Sequence, residues 1–226
     1  MKKSLLQRWC DRTWMYAVYF LGIFMGCALI WNWGSWEVSQ KLVCLLAVVV
    51  PMHIFEENSF PGGFYFMNNT GFHSKQPMVY PQNECTNMVT NLGAEIVLIL
   101  VTFSTMRIEV SAVTLVIFFG LGETLNHTRA GILMYRRYRE VGKKTIYGPG
   151  TVTSWCMLVP LAVASIRWLS FHPFTVGEVI GGIGIFLGIA VCLIGLPFVI
   201  SIRVKSKRFA FEDLGYFEKY EKGNPK

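Results

Sequence analysis

Residues 42–57, LVCLLAVVVPMHIFEE, decide how the chain is read. From Leu42 to Met52 no charge interrupts the run, which suits the core of a bilayer. It then ends in a histidine and two adjacent glutamates, His53, Glu56 and Glu57. A helix end dressed for water explains these charges blandly. A reactive centre sunk at the membrane boundary explains them by function.

The rest of the chain favours a membrane. Of 226 residues, 53% are hydrophobic and only 15% charged, with a mean hydropathy of +0.41. That is too apolar for an ordinary soluble domain. Apolar stretches of about 18 residues or more, enough to cross a bilayer, fall at Trp14–Trp31, Trp36–Phe55, Met88–Met106, Val110–Met134, Val152–Phe171 and Val176–Ile202. The expected fold is an all-α polytopic membrane bundle of about six helices, forming one integral-membrane domain over residues 1–226. The basic start and apolar run at the N-terminus read as a retained first span rather than a cleaved signal. Lys41 near the start of the second span can reach the interface by snorkelling.

Six spans place both termini on one side. Lys2, Lys3, Arg8 and Arg12 precede the first span, Arg136, Arg137, Arg139, Lys143 and Lys144 follow the fourth, and Arg203, Lys205, Lys207 and Arg208 follow the sixth. All three clusters then share a side, which the positive-inside rule makes cytoplasmic. The expectation is a multi-pass protein of the plasma (inner) membrane, its net charge of +7 topogenic and in contact with membrane lipid. No basic stripe lies on a soluble domain, so a nucleic-acid partner is not expected. The six cysteines form no C-x-x-C pair and read as small buried apolar residues, not as a disulfide or zinc framework.

Two segments between spans stand out. Residues 58–87 are rich in Gly, Pro, Asn and aromatics and read as an interfacial or re-entrant loop, either a lid over a site or a plain connection. His73 within it reads as a surface residue. Residues 135–151 carry a basic helix extension and a Gly-Pro-Gly turn. Residues 203–226 read as a cytoplasmic tail. Gly177, Gly181, Gly184 and Gly188 in the last span suit close helix packing within the chain or in a homo-oligomer. Pro160 and Pro197 are expected to kink their spans.

Polar residues recur inside the predicted membrane at helical spacing. On a helix, positions i, i+3 and i+4 share a face. His53, Glu56 and Glu57 have that spacing, and so do Glu123, Asn126 and His127 in the fourth span, with the acid first. Asn87, Asn91 and Glu95 form a stripe on the third. The topology brings all three groups to one depth, in the half of the bilayer nearer the termini. A charged group at a helix centre costs roughly 2.5–3.5 kcal/mol on insertion scales. Clustered carboxylates need a metal ion, shared protons or a cationic partner to coexist. Helix capping, interfacial solvation and helix–helix hydrogen bonding are the structural alternatives, weakest for Glu95 and Glu123.

HIFEE at 53–57, followed at once by FPGGF at 60–64, resembles the HXXEE-motif membrane proteins, as do ETLNH at 123–127 and YGPGTVTS at 147–154. The resemblance runs from the second span through the fifth. It implies a multi-span architecture with His53, Glu56, Glu57 and His127 as marker residues, and it supplies no reaction. The intramembrane CAAX-type proteases are similar in parts, since they also use paired glutamates, a histidine and an asparagine on different spans. Their Glu-Glu-x-x-x-Arg pattern fails here because residue 61 is proline.

Three functions follow as expectations. The first is a membrane-embedded hydrolase acting on a lipid or membrane-associated peptide. Its catalytic groups would be Glu56, Glu57, His53 and Asn126, its substrate contacts Asn91 and Asn87. A divalent metal, zinc as the expected ion, would sit on His53, Glu57, Glu95, Glu123 and His127. The spacing satisfies no H-E-x-x-H motif. The second is a proton- or ion-coupled transporter, which polar residues through the other half of the bundle would favour. The third is a non-catalytic membrane protein, in which the glutamates would tolerate replacement by glutamine.

Overall fold

The computed structural model describes residues 3–221. Seven helices organise it: α1 Leu5–Trp31, α2 Val38–Asn58, α3 Phe64–Gly71, α4 Glu84–Arg107, α5 Glu109–Val141, α6 Thr151–Ser170 and α7 Val176–Val204. All but α3 are long and apolar enough to cross a membrane, so the chain is an all-α, six-span integral membrane protein. The described residues contain no strand. Each predicted span is matched, most ends extending where charged or polar turns continue the helix, while α2 begins after the predicted Trp36 and α6 ends before the predicted Phe171.

Burial ranks the helices. The apolar windows of α2 and α5 are 67% buried, that of α7 only 11%, so α2 and α5 form the centre and α7 leans on the outside. Around α2 stand α1, α4, α5 and α6, and α5 also carries α6 and α7. Leu46, Ile54, Leu98, Leu115 and Leu158 fill the middle. Close approaches depend on small residues. A Cβ on Gly22 of α1 would lie 2.6 Å from Cγ of Pro51, so the glycine is the slot for that proline. A Cβ on Gly182 of α7 would meet the Ser111 carbonyl at 2.4 Å. The glycine stripe of the last span thus divides. Gly181 and Gly182 pack on α5, whereas Gly184 and Gly188 face open space.

Pro160 and Pro197 follow wide π-helical turns, Ser154–Leu158 and Ala190–Gly195. Such a turn accommodates a ring that carries no N–H to donate. Of the cysteines, Cys10 and Cys44 are buried, but Cys27, Cys156 and Cys192 are exposed on the outside of the bundle. There the expectation of burial fails, because the apolar neighbour of an outward span residue is lipid rather than protein.

The connection from α2 to α4 is more ordered than a loop. Gly63, with φ +94, turns the chain into α3, whose residues Phe64 to Asn69 are all buried. Asn83 then caps α4 by accepting from the N–H groups of Cys85 and Thr86. His73 is exposed. The C-terminal segment does not trail away. Phe211 N–H donates to the Met78 carbonyl at 2.9 Å, Tyr216 N–H to the Gly62 carbonyl at 3.0 Å, and Phe217 is fully buried. The ring of Phe211 stacks on Tyr65 at 3.5 Å. This strap also meets the N-terminus: Lys3 Nζ lies 2.9 Å from Glu212, and Gln7 Nε2 donates to the Arg208 carbonyl at 3.0 Å. Both ends of the described chain therefore lie on one face, the terminal face. Of the expected tail, residues 222–226 lie outside the described residues.

Candidate metal centre

Two helices bring polar side chains to one point below the terminal face. α2 supplies His53 and Glu57, which are four apart and so share a face. α5 supplies Glu123 and His127 by the same spacing. Glu57 Oε1 lies 3.0 Å from His127 Nε2 and 3.5 Å from His53 Nε2, and His127 Nε2 lies 3.7 Å from Glu123 Oε2. One ligating atom from each of His53, Glu57 and His127 fits within 4.8 Å of the others. His53, Glu57 and His127 are buried, and the Glu123 side chain is 26% exposed. Neither His53 Nε2 nor either nitrogen of His127 has a hydrogen-bond partner, although all three are buried.

Those spacings fit a cation. Zinc binds histidine nitrogen and carboxylate oxygen at about 2.0–2.2 Å in a tetrahedron, which separates neighbouring ligand atoms by about 3.3 Å. The distances of 3.0 to 3.7 Å bracket that value. The two Nε2 atoms make no hydrogen bond and face only carboxylate oxygens, and a cation among them satisfies nitrogens and carboxylate together.

The orientation of His53 is set by a second carboxylate. Thr153 Oγ1 donates to Glu56 Oε2 at 2.6 Å, so its lone pairs face His53 Nδ1 at 2.7 Å and Nδ1 carries the proton. Nε2 is thereby left with its lone pair toward Glu57 and His127, the tautomer a metal ligand needs. Glu56 also accepts from the backbone N–H groups of Val152 at 3.1 Å and Thr153 at 2.8 Å. It caps the open end of α6 from another helix. The two neighbouring glutamates therefore point to different partners, Glu57 to the histidines and Glu56 to α6.

His127 is held by packing instead. The Phe64 ring lies 4.5 Å from its ring, and the ring of His53 meets it edge-on at 4.7 Å. Behind it, Gly150 has φ +88, and a Cβ there would stand 2.1 Å from His127 Cε1. Only glycine fits both the conformation and the space. The Gly-Pro-Gly turn is thus the back wall of the imidazole.

A cavity of about 280 Å³ opens beside the group. His53, Glu57, Glu123, Asn91 and Asn126 line its polar end, and Phe119, Phe186 and Phe198 its apolar walls. Of the residues expected from sequence, the structure brings together His53, Glu57, Glu123, His127, Asn91 and Asn126. It sets Glu95 apart. That carboxyl is wholly buried in the core near Cys44, with no hydrogen bond to either oxygen. Its stripe with Asn91 does not reach the group, since Glu95 lies a further turn, about 6 Å, along α4, past the cavity and into the core. Asn87 does not line the cavity either; its amide links Asn58, Gln82 and Asn91. Thr153 was not singled out from the sequence, and Gly150 and Phe64 appeared there only within the Gly-Pro-Gly turn and the FPGGF block, without a role at the centre. The block YGPGTVTS contained the first two, and its glycines were their one visible signal.

The fold and the group define a class: a six-span integral membrane protein with a buried His–Glu group. The chain belongs to the family described as "Protein of unknown function with HXXEE motif", whose profile matches residues 44–165. That range runs from α2 into α6 and contains every residue of the group and its support. No curated protein and no solved structure matches the chain.

Proposed function

We propose that the protein is a membrane-embedded hydrolase in which His53, Glu57 and His127, with Glu123 beside them, hold a divalent cation, zinc by ligand type. One observation carries the reading: two buried imidazole nitrogens that make no hydrogen bond, one each from His53 and His127, converge with the Glu57 carboxylate at ligand spacing. When bound, a divalent ion of this kind acidifies a coordinated water and polarises a carbonyl or phosphoryl oxygen. The chain's own groups do the rest. Thr153 and Glu56 keep His53 in the ligating tautomer. Glu123, the most accessible carboxylate of the set, takes the proton from attacking water and returns it to the leaving group. The amide of Asn126 donates to the oxyanion that forms as water adds, while Asn91, whose Nδ2 is engaged by Asn87, lines the approach. The bond to the leaving group then breaks, and the water is divided between the two products.

The apolar walls favour a lipid or membrane peptide whose polar end reaches the group. In this reading the terminal face is cytoplasmic and the membrane is the plasma (inner) membrane, as the basic clusters favour. The test is elemental mass spectrometry of the detergent-purified protein beside His127→Ala and Glu57→Gln, followed by hydrolysis assays on lipid esters and peptides. Stoichiometric metal in the native protein, lost in both variants, is expected. A metal-free native protein after loading with zinc sinks the reading.

A second reading, a proton-coupled carrier, draws on Glu95, the buried carboxyl without a partner. It predicts flux in liposomes that Glu95→Gln abolishes.

A further inference from the structure

The centre has two approaches of opposite character. On one side the walls are apolar. On the other lies a floor made of amides. Asn87 Nδ2 donates to Asn58 Oδ1 at 2.7 Å, while Asn87 Oδ1 accepts from Asn91 Nδ2 and Gln82 Nε2, each at 2.8 Å. Gln82 Oε1 in turn accepts from Asn68 Nδ2 at 2.9 Å. Asn68, Gln82 and Asn91 line the cavity at the centre. Asn58 and Asn87 line a different one of about 350 Å³, at the terminal face, with Asp11, Arg12, Glu84 and Asp213 around it. The two cavities are therefore separated by one layer of primary amides. Three hydrogen bonds join Asn87 of the outer cavity directly to residues of the inner, two from Asn91 and one from Gln82.

We infer that this amide layer is the route by which water passes between the charged vestibule at the terminal face and the His–Glu cavity. A primary amide has both donors and acceptors and can exchange a side-chain partner for water at little net cost. An apolar layer would have to solvate water in a medium with nothing to bond it. The vestibule, rimmed by carboxylates and Arg12, is itself a place where water collects. Asn87 is the central link, since its oxygen accepts two of the bonds and its nitrogen makes the third. The inference rests on the hydrolase reading only for the use of the water, because such an enzyme consumes one water per turnover while its substrate comes from lipid.

Hydroxyl-radical footprinting of the full-length protein in nanodiscs tests the path without any substrate or metal, since radicals born from water mark side chains beside it. Phe64 and Phe119 line the cavity and report on it, and the fully buried Leu98 of the apolar core sets the dry baseline. Expected is labelling of Phe64 and Phe119 in the native protein, loss to the Leu98 baseline in Asn87→Leu, and retention in Asn87→Ser. Native phenylalanines as dry as Leu98 overturn the inference, and so does undiminished labelling in an Asn87→Leu protein that elutes like the native one. Where Asn87→Leu does not fold, Asn58→Leu at the outer end of the same chain gives the same readout. A wet cavity in a protein that binds no metal leaves the path standing without the hydrolase, and a dry cavity beside bound metal does the reverse.

Discussion

Thr153→Val tests the link between Glu56 and the centre. The change keeps the side-chain shape and removes Oγ1, which lies 2.6 Å from Glu56 Oε2 and 2.7 Å from His53 Nδ1. The bond to the carboxylate is of the charged kind, about 1.5–3 kcal/mol, and the bond from the imidazole adds about 0.5–1.5 kcal/mol. The backbone N–H groups of Val152 and Thr153 still reach Glu56, so α6 stays capped. A total loss of about 2–4.5 kcal/mol in stability is expected, with a downward shift in thermal unfolding in detergent. His53 also loses the group that fixes its tautomer. Outer-shell losses of this kind cost roughly 10–100-fold in metal affinity. Competition for zinc against a chelator reads that directly. Thr153→Ser, which restores the hydroxyl, should recover both. Zinc affinity and unfolding temperature that match the native protein in Thr153→Val would refute the argument that Glu56 acts through Thr153 on His53.

Other substitutions separate the parts. Gly150→Ala forces a Cβ into φ +88 and against His127; backbone strain alone costs about 1–3 kcal/mol, so a lower unfolding temperature and lost metal are expected together. Glu57→Gln should abolish metal binding while Glu95→Gln leaves it intact, as elemental analysis of both would show; equal loss in the two would place Glu95 at the centre after all. Lys143, outside the spans, is only 2% exposed; burial, and to a lesser degree the Lys219 ammonium, push its pKa down to about 8. The folded state then releases a proton that the unfolded chain still holds between pH 8 and the ordinary lysine value, so this group's contribution to stability rises with pH across that window. Thermal unfolding from pH 8 to 9.5, compared with Lys143→Met, should show the slope in the native protein alone.

The spans and the pairings within each helix were legible because both depend on local rules. Apolar length marks a span, and a four-residue offset puts His53 with Glu57 and Glu123 with His127 whatever surrounds them. The division of labour between Glu56 and Glu57 was not legible. They differ by one step of about 100° around the helix, and only the position of α6 decides that one caps a neighbour while the other meets the histidines. Glu95 failed for the same reason from the other direction. Its spacing from Asn91 was right, but the extra turn along α4 carries it past the cavity into the core. Thr153 was invisible since a threonine near a helix start has many ordinary uses. The order in residues 59–83 was hidden by their composition. Gly, Pro and Asn there read as loop signals, whereas they serve as sharp corners and as amide partners for a buried helix.

The strap imposes an order of assembly. Phe211, Tyr216 and Phe217 clasp the corner at Gly62 and the start of α3, and they follow the sixth span in the chain. All six spans can be inserted before that clasp exists. Docking of the strap is therefore a step that comes after insertion, with the finished bundle as its template.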